Sequence, residues 1–215
     1  MKGRFITFEG AEGSGKSTQS KLVIARLGEL GYEVISSREP GGTRTGELIR
    51  DVLQHNASGE DICPETEVLL FAASRAQLVR NIILPALNSG AWVICDRFMD
   101  STTAYQGYGR GFDVEKMIEI NTFAVGDAVP DLTFLLDVDV DTSLERMEAR
   151  VRSTHEQLDR FERETREFHE KVRDGYHALA DRWPERFRVI DSTTDPTDVA
   201  ALIWQSIEEL IPEPA

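Results

Sequence analysis

The sequence predicts an α/β protein built on a parallel, doubly wound sheet. Three observations lead there. Short apolar runs alternate with longer amphipathic ones along the 215 residues, the pattern of repeated strand–helix units. Two of the short runs, at 91–95 and 132–136, are apolar without alternation, as strands covered on both faces are. Four polar motifs, at 10–17, 38–43, 96–97 and Asp137, each follow a strand candidate, at the rim where such sheets bind ligands.

The elements follow in order. Residues 5–8 read as a strand that runs into a glycine-rich loop. Residues 17–30 read as a helix with Leu22, Ile24, Ala25 and Leu27 as its apolar positions and Gly31 as its stop. Residues 33–37 form the second strand, and Arg38-Glu39-Pro40-Gly41-Gly42-Thr43 a turn-rich loop. Helices are expected at 45–55 and 65–87, the second kinked or ended by Pro85. The runs 91–95 and 132–136 are buried strands. Helices follow at 141–150 and 157–183, separated by the polar stretch 151–156. A last strand at 186–190 and a last helix at 196–210 complete the chain. No internal repeat interrupts it, and all 215 residues read as one domain.

Composition narrows the function. Hydrophobic residues make up 40%, enough for a core. Twenty-four basic against 38 acidic residues give a net charge of −14, which disfavours a nucleic acid polymer as partner but not a small anion held by local donors. Cys63 and Cys95 are no disulfide framework, and Cys95 reads as a small core residue. No stretch approaches the ~18 apolar residues of a membrane span, and the first residues lack a signal-peptide core. A soluble, cytoplasmic protein is expected.

The loop Gly10-Ala11-Glu12-Gly13-Ser14-Gly15-Lys16-Ser17 satisfies G-x4-G-K-[ST] after a strand and before a helix. Its glycines let successive N–H groups turn inward onto phosphate oxygens, and the helix N-terminus adds positive potential. Lys16 is expected on the β- and γ-phosphates of ATP and the Ser17 hydroxyl on Mg²⁺. The loop does not say where the phosphate goes. A guanine-reading Asn-Lys-x-Asp is missing, and the size of the chain favours a small-molecule kinase over a motor or transport ATPase.

Three further clusters bear on the second substrate. Arg38 stands at a strand end, facing the rim. Phe71 and Arg75, four apart, share a helix face, where a ring stacks on a base and a guanidinium bonds its edge; the alternative is Phe71 in the core and Arg75 in solvent. Asp96 and Arg97 end a buried strand, where an unused ion pair would be costly. Arg97 can clamp a phosphate, and Asp96 can orient Mg²⁺, a water or Arg97 itself. Tyr105 and Gln106 offer an aromatic wall and an amide.

Taken together, Phe8-Glu9-Gly10-x-Glu12-Gly13-x-Gly15-Lys16-Ser17-Thr18, Arg38 to Thr43, Leu70-Phe71-x-Ala73-x-Arg75, Asp96-Arg97 with Ser101-x2-Ala104-Tyr105-Gln106-Gly107, and Leu158-Asp159-Arg160 resemble the thymidylate kinases over nearly the whole chain. The resemblance implies a three-layer P-loop nucleoside monophosphate kinase fold, with a five-stranded parallel sheet flanked by helices. It implies transfer of a phosphoryl group from ATP to dTMP with Mg²⁺, and a homodimer with the 65–87 helix at its interface. It places Phe71 on thymine, Arg75 on the base edge, and Thr102 and Gln106 near the base. It places Tyr105 under the sugar, Glu12 on the 3′-hydroxyl, and Arg38 and Arg97 on the acceptor phosphate. Pro40 and Ser101 fall in the matching acceptor motifs, and Thr18 with the ATP loop. Glu9 supports the loop or takes part in catalysis. Position 13 is Gly where some members carry a basic residue, so the catalytic charge is expected from a lid at about 146–160, where Arg150 and Arg152 close over the phosphates and Arg146 lies either with them or on the adenine face. Asp159-Arg160 anchors the lid's return. The rivals are another nucleotide or deoxynucleoside kinase and a nucleotide-dependent switch protein.

Overall fold

The structure, a computed structural model, describes residues 3–55, 57, 59–154 and 157–211. The first two and last four residues of the predicted domain, and positions 155 and 156 of the predicted lid, lie outside it. Strand β1 (Phe5–Glu9) leads through the glycine-rich loop into α1 (Lys16–Glu29), then β2 (Val34–Arg38) and α2 (Arg44–His55). Helix α3 (Pro64–Leu78) continues through a π turn (Val79–Ile83) into α4 (Leu84–Ser89), so Pro85 does not break the run. It sits at the start of α4, where its missing N–H is tolerated. Strand β3 (Trp92–Asp96) precedes α5 (Met99–Thr102) and a π-helical segment (Thr103–Gly109). Helix α6 (Val114–Val125), which the sequence reading does not anticipate, is capped by Asp113 Oδ1 accepting from Lys116 N at 2.8 Å. Then come β4 (Leu132–Asp137), α7 (Val140–Thr154), α8 (Arg166–Arg182), β5 (Phe187–Asp191) and α9 (Pro196–Glu208).

The five strands lie in the order β2-β3-β1-β4-β5, all parallel. Side chains alternate across the sheet. Ile6 and Phe8, Trp92 and Ile94, and Leu132, Phe134 and Leu136 face one layer, packing with Val23 and Leu27 of α1 and Ile203 and Trp204 of α9. On the opposite face Phe5, Val93 and Cys95 meet Leu78, Val79 and Ile83 of the long helical run. Farther along that face Leu135 and Phe187 meet Tyr176 and Leu179 of α8. This is the expected three-layer fold around one five-stranded sheet.

Two boundaries are corrected. Helix α7 extends to Thr154, supported by an Arg152–Glu148 pair at i,i+4 (3.3 Å). The helix expected from residue 157 begins at Arg166. Asp159 Oδ1 accepts from the N–H groups of Phe161 and Glu162 (2.8 and 2.9 Å), which makes a turn, and Thr165 caps the helix by accepting from Phe168 N. The membrane criterion is also met where none was expected: residues 64–89 form a helical run long and apolar enough to span a bilayer by length and composition alone. Val68, Leu78, Val79, Ile83 and Leu87 of that run are buried in the protein's own core.

Candidate active site

The loop after β1 is shaped by contacts that exclude side chains. Gly10 has φ 134, and a Cβ there would lie 2.4 Å from the Leu136 carbonyl oxygen of the neighbouring strand. Gly13 has φ 69, and a Cβ would meet Arg146 Cβ at 2.9 Å. Helix α7 thus packs directly on the loop, and Ser143 Oγ donates to Glu12 O at 2.7 Å. Lys16 Nζ curls over the loop and donates to Gly10 O (3.0 Å) and Ala11 O (2.7 Å). Burial, and then the nearby Arg97 guanidinium, pull its pKa down to about 8.

Register brings the other rim residues to this loop. Arg38 pairs with Asp96 across β2 and β3, and Asp96 pairs with Phe8 across β3 and β1. Asp96 Oδ2 accepts from Ser17 Oγ at 2.5 Å. Those two oxygens suit a hard cation that also takes phosphate and water oxygens, and no cluster of three metal-ligating side chains occurs among the described residues. Asp137, the fourth rim motif, is turned to structure instead. It accepts from Arg173 Nε and Nη2 (2.8 and 2.7 Å) and lies 3.2 Å from His177 Nε2.

Arg97 holds the centre. Its backbone is left-handed (φ 66), an uncommon conformation for a non-glycine residue. It is fixed by Arg97 N donating to Phe8 O (2.9 Å) and Nη1 donating to Gly10 O (3.0 Å). Nη2 donates to Glu12 Oε1 at 2.6 Å, and Tyr105 OH donates to Glu12 Oε2 at 2.6 Å. Burial alone would raise the Glu12 pKa, but Arg97, Lys16 and the Tyr105 hydroxyl together hold it below the ordinary value. Glu9 stands behind the loop, fully buried. Its carboxyl accepts from Phe98 N (2.8 Å), Ser101 Oγ (2.6 Å) and Tyr176 OH (2.9 Å). Burial and the Asp100 charge raise its pKa to about 7.

Two cavities open on this rim. One is lined by Pro40, Phe71, Ser101, Thr102, Tyr105 and Gln106, with Phe161 opposite Phe71 (ring centroids 5.7 Å apart). The other, a cleft of about 480 Å³, is lined by Gly13, Gly15, Lys16, Ser17, Thr18, Arg38, Asp96, Arg146 and Arg150. Both include Glu12, Gln54, Arg97 and Asp159. Of these four shared residues, Glu12 belongs to the glycine-rich loop and is bonded to Arg97.

Comparison with known proteins decides the family. The thymidylate kinase family model matches residues 8–203. A thymidylate kinase of Pelotomaculum thermopropionicum is 49% identical over 211 residues, 98% of this chain and 95% of its own. One from Thermomicrobium roseum is 49% identical over 207 residues, 96% of this chain and 95% of its own. The crystal structure of thymidylate kinase from Ehrlichia chaffeensis superposes with a TM-score of 0.76 at 37% identity, covering 96% of this chain and 99% of that one. The chain belongs to the thymidylate kinase family.

The thymidylate kinase motifs do not all stand in the wall. Arg75 lies one side chain behind it, 1% exposed. It donates to Glu39 Oε2 (2.8 and 2.6 Å), Asn121 Oδ1 (2.6 Å), Phe98 O (3.2 Å) and Thr102 Oγ1 (2.8 Å). Its route to the cavity runs through Thr102. Arg146 braces the loop, donating to Gly13 O (3.2 Å) and Ser192 O (3.0 Å), and Arg150 donates to Glu162 Oε1 (2.6 Å). Arg152 pairs with Glu148 where both are about 70% exposed, away from the cleft wall that Arg146 and Arg150 share. Arg160 donates to Leu53 O (3.1 Å) and Glu67 Oε2 (2.5 Å), which ties the segment after α7 to α2 and α3. Sequence reasoning missed Arg50, Gln54 and Phe161. Arg50 lines the cleft and donates to Pro40 O at 2.9 Å, and burial together with Arg38 lowers its pKa. An arginine or glutamine on an amphipathic helix carries no local mark of its destination.

Proposed function

We propose that the two joined cavities are the active site for the family's reaction, transfer of the γ-phosphoryl group of ATP to dTMP to give dTDP and ADP. The observation that carries this reading is Glu12. Its backbone belongs to the phosphate-binding loop, and its carboxylate is bonded to Arg97 and Tyr105 in the wall of the other cavity. Donor and acceptor sites with a shared wall favour direct transfer over hydrolysis.

In this reading the loop amides and Lys16 hold the donor phosphates, and Ser17 and Asp96 hold Mg²⁺, which neutralises charge on the transferring group. Arg97, Arg38 and Arg50 surround the acceptor phosphate. Phe71 stacks on the base against Phe161, with Thr102 and Gln106 at its edge, Arg75 behind Thr102, and Tyr105 and Glu12 at the sugar. Because the acceptor is already a phosphate anion, alignment and positive charge suffice and no strong base is required. Arg146 and Arg150 of α7 supply charge from the lid side. The protein works in the cytoplasm, supplying dTDP for dTTP. It works as a homodimer through α3 and α6, where Leu69 and Phe123, 61% and 87% exposed, flank Ala72, Ala73 and Ala76.

The test is an acceptor profile with ATP and Mg²⁺. The expected order puts dTMP far ahead of dUMP, UMP, CMP and AMP. A best acceptor of CMP or AMP would overturn the assignment of the base cavity.

A further inference from the structure

Glu67 sits on α3, 1% exposed, and no step of the phosphoryl transfer uses it. Its carboxylate is filled from three sides. Gln106 Nε2 donates to Oε1 at 2.7 Å, and Arg160 Nη2 donates to Oε2 at 2.5 Å. Arg110 reaches both oxygens, with Nε 3.3 Å from Oε1 and Nη2 3.4 Å from Oε2. A carboxylate held by two guanidinium groups only accepts hydrogen bonds. It therefore fixes which end of the Gln106 amide faces it: the NH₂ must, and the carbonyl cannot. The orientation of a glutamine amide is ordinarily ambiguous, but beside such a partner it is not.

The other end of that amide is left over. Gln106 Oε1 is buried and has no hydrogen-bond partner among the described residues, although Gln106 lines the apolar cavity. A buried carbonyl without a partner is costly unless a ligand completes it. Thr102 adds to the pattern. Its Oγ1 accepts from Arg75 Nη2 at 2.8 Å, so its own proton remains to be given. The edge of the cavity thus offers an acceptor from Gln106 and a donor from Thr102.

We propose that Glu67 is a positioning residue that sets base selectivity by locking the Gln106 amide with its carbonyl toward the ligand. This rests on the reading of the cavity as the base site. A 2,4-dioxopyrimidine carries an N3–H donor beside an O4 acceptor and matches the locked edge. Cytosine carries an N3 acceptor beside an N4 amino donor and is mismatched at both atoms. A site built this way rejects the mismatched ligand because its own buried groups are left unpaired. Through Arg160, Glu67 also joins the segment after α7 to the base wall, so the lock is set by the same residue that anchors that segment.

The test is the isosteric substitution Glu67→Gln. The introduced side chain can present either its NH₂ or its carbonyl to Gln106, which frees Gln106 to turn. Steady-state kinetics with dTMP and dCMP should show the dTMP/dCMP ratio of kcat/KM falling tenfold or more. The change should lie in the KM values for the acceptors, with the KM for ATP close to wild type. The melting temperature falls, because Arg110 and Arg160 lose their carboxylate, and the kinetics are read well below it. In a Gln106→Met background the same substitution should leave the ratio unchanged, because Glu67 acts through Gln106. A folded Glu67→Gln variant with the wild-type ratio overturns the inference alone. A wild type that does not favour dTMP overturns the base-site reading and the inference with it. A second measurement needs no variant. On dTMP binding to the wild-type protein, the Gln106 side-chain ¹³Cδ resonance should shift while its Nε2 protons hold their position. Shifted Nε2 protons with an unmoved ¹³Cδ overturn the inference.

Discussion

Arg97 is the residue on which most of the site depends. Its left-handed backbone costs of order 1–3 kcal/mol, and the hydrogen bonds to Phe8 O, Gly10 O and Glu12 offset that cost by fixing the guanidinium between the two cavities. Replacing it with alanine removes the clamp that aligns the acceptor phosphate, so turnover should fall about 10²-fold or more while ATP binding, measured by calorimetry, changes little. Near-normal turnover would remove Arg97 from the site. Protonation is equally specific. Lys16 titrates near 8 because it is buried beside Arg97. A bound polyphosphate raises that value, so ATP binding at pH 8.5 should take up protons, read as a buffer-dependent enthalpy; no dependence on buffer would contradict the assignment. Glu9 is raised from an ordinary value near 4.5 to about 7. A carboxyl raised in this way contributes stability that is full below about 4.5 and lost as pH rises through 7. The melting temperature of Glu9→Gln should therefore fall less than that of wild type between pH 5 and 8.

At the scale of elements, the contact between α7 and the phosphate loop matters most. A Cβ at Gly13 would lie 2.9 Å from Arg146 Cβ, so position 13 has no room for a side chain, and Arg146 of α7 donates to Gly13 O there. Gly13→Ala places a methyl group where φ 69 and a 2.9 Å contact both oppose it. It should push α7 off the loop and weaken ATP binding, with little effect on dTMP binding, as parallel titrations would show. Equal losses for both ligands would contradict it. The loop, β1 and Asp96-Arg97 were legible in the sequence because each is written in consecutive residues beside an apolar run. The turn at 157–165 was not, because the Asp159 side chain, rather than apolar spacing, decides it there. Arg50, Gln54 and Phe161 were not legible either: they reach the site only once α2 and the segment after α7 are packed. Arg75 shows the limit of helix-face reasoning, since spacing put it beside Phe71 but could not place Glu39 and Asn121 around its guanidinium.

Across the whole molecule, acidity and function are reconciled by placement. The net charge is −14, yet Lys16, Arg38, Arg50, Arg97, Arg146 and Arg150 converge on one cleft, where they outnumber the carboxylates of Glu12, Glu39, Asp96, Asp159 and Glu162, a local balance unlike that of the whole chain. The α3–α6 face, with Phe123 87% exposed, lies away from that cleft. Phe123→Glu should convert a dimer to a monomer by light scattering; an unchanged mass would place the interface elsewhere. The central claim is that the two cavities form one transfer site. It is tested most directly by following ATP consumption and dTDP formation together, with and without dTMP. The structure predicts one dTDP per ATP consumed and negligible ATP loss without dTMP. Steady ATP hydrolysis without an acceptor, or ATP loss in excess of dTDP, would contradict it.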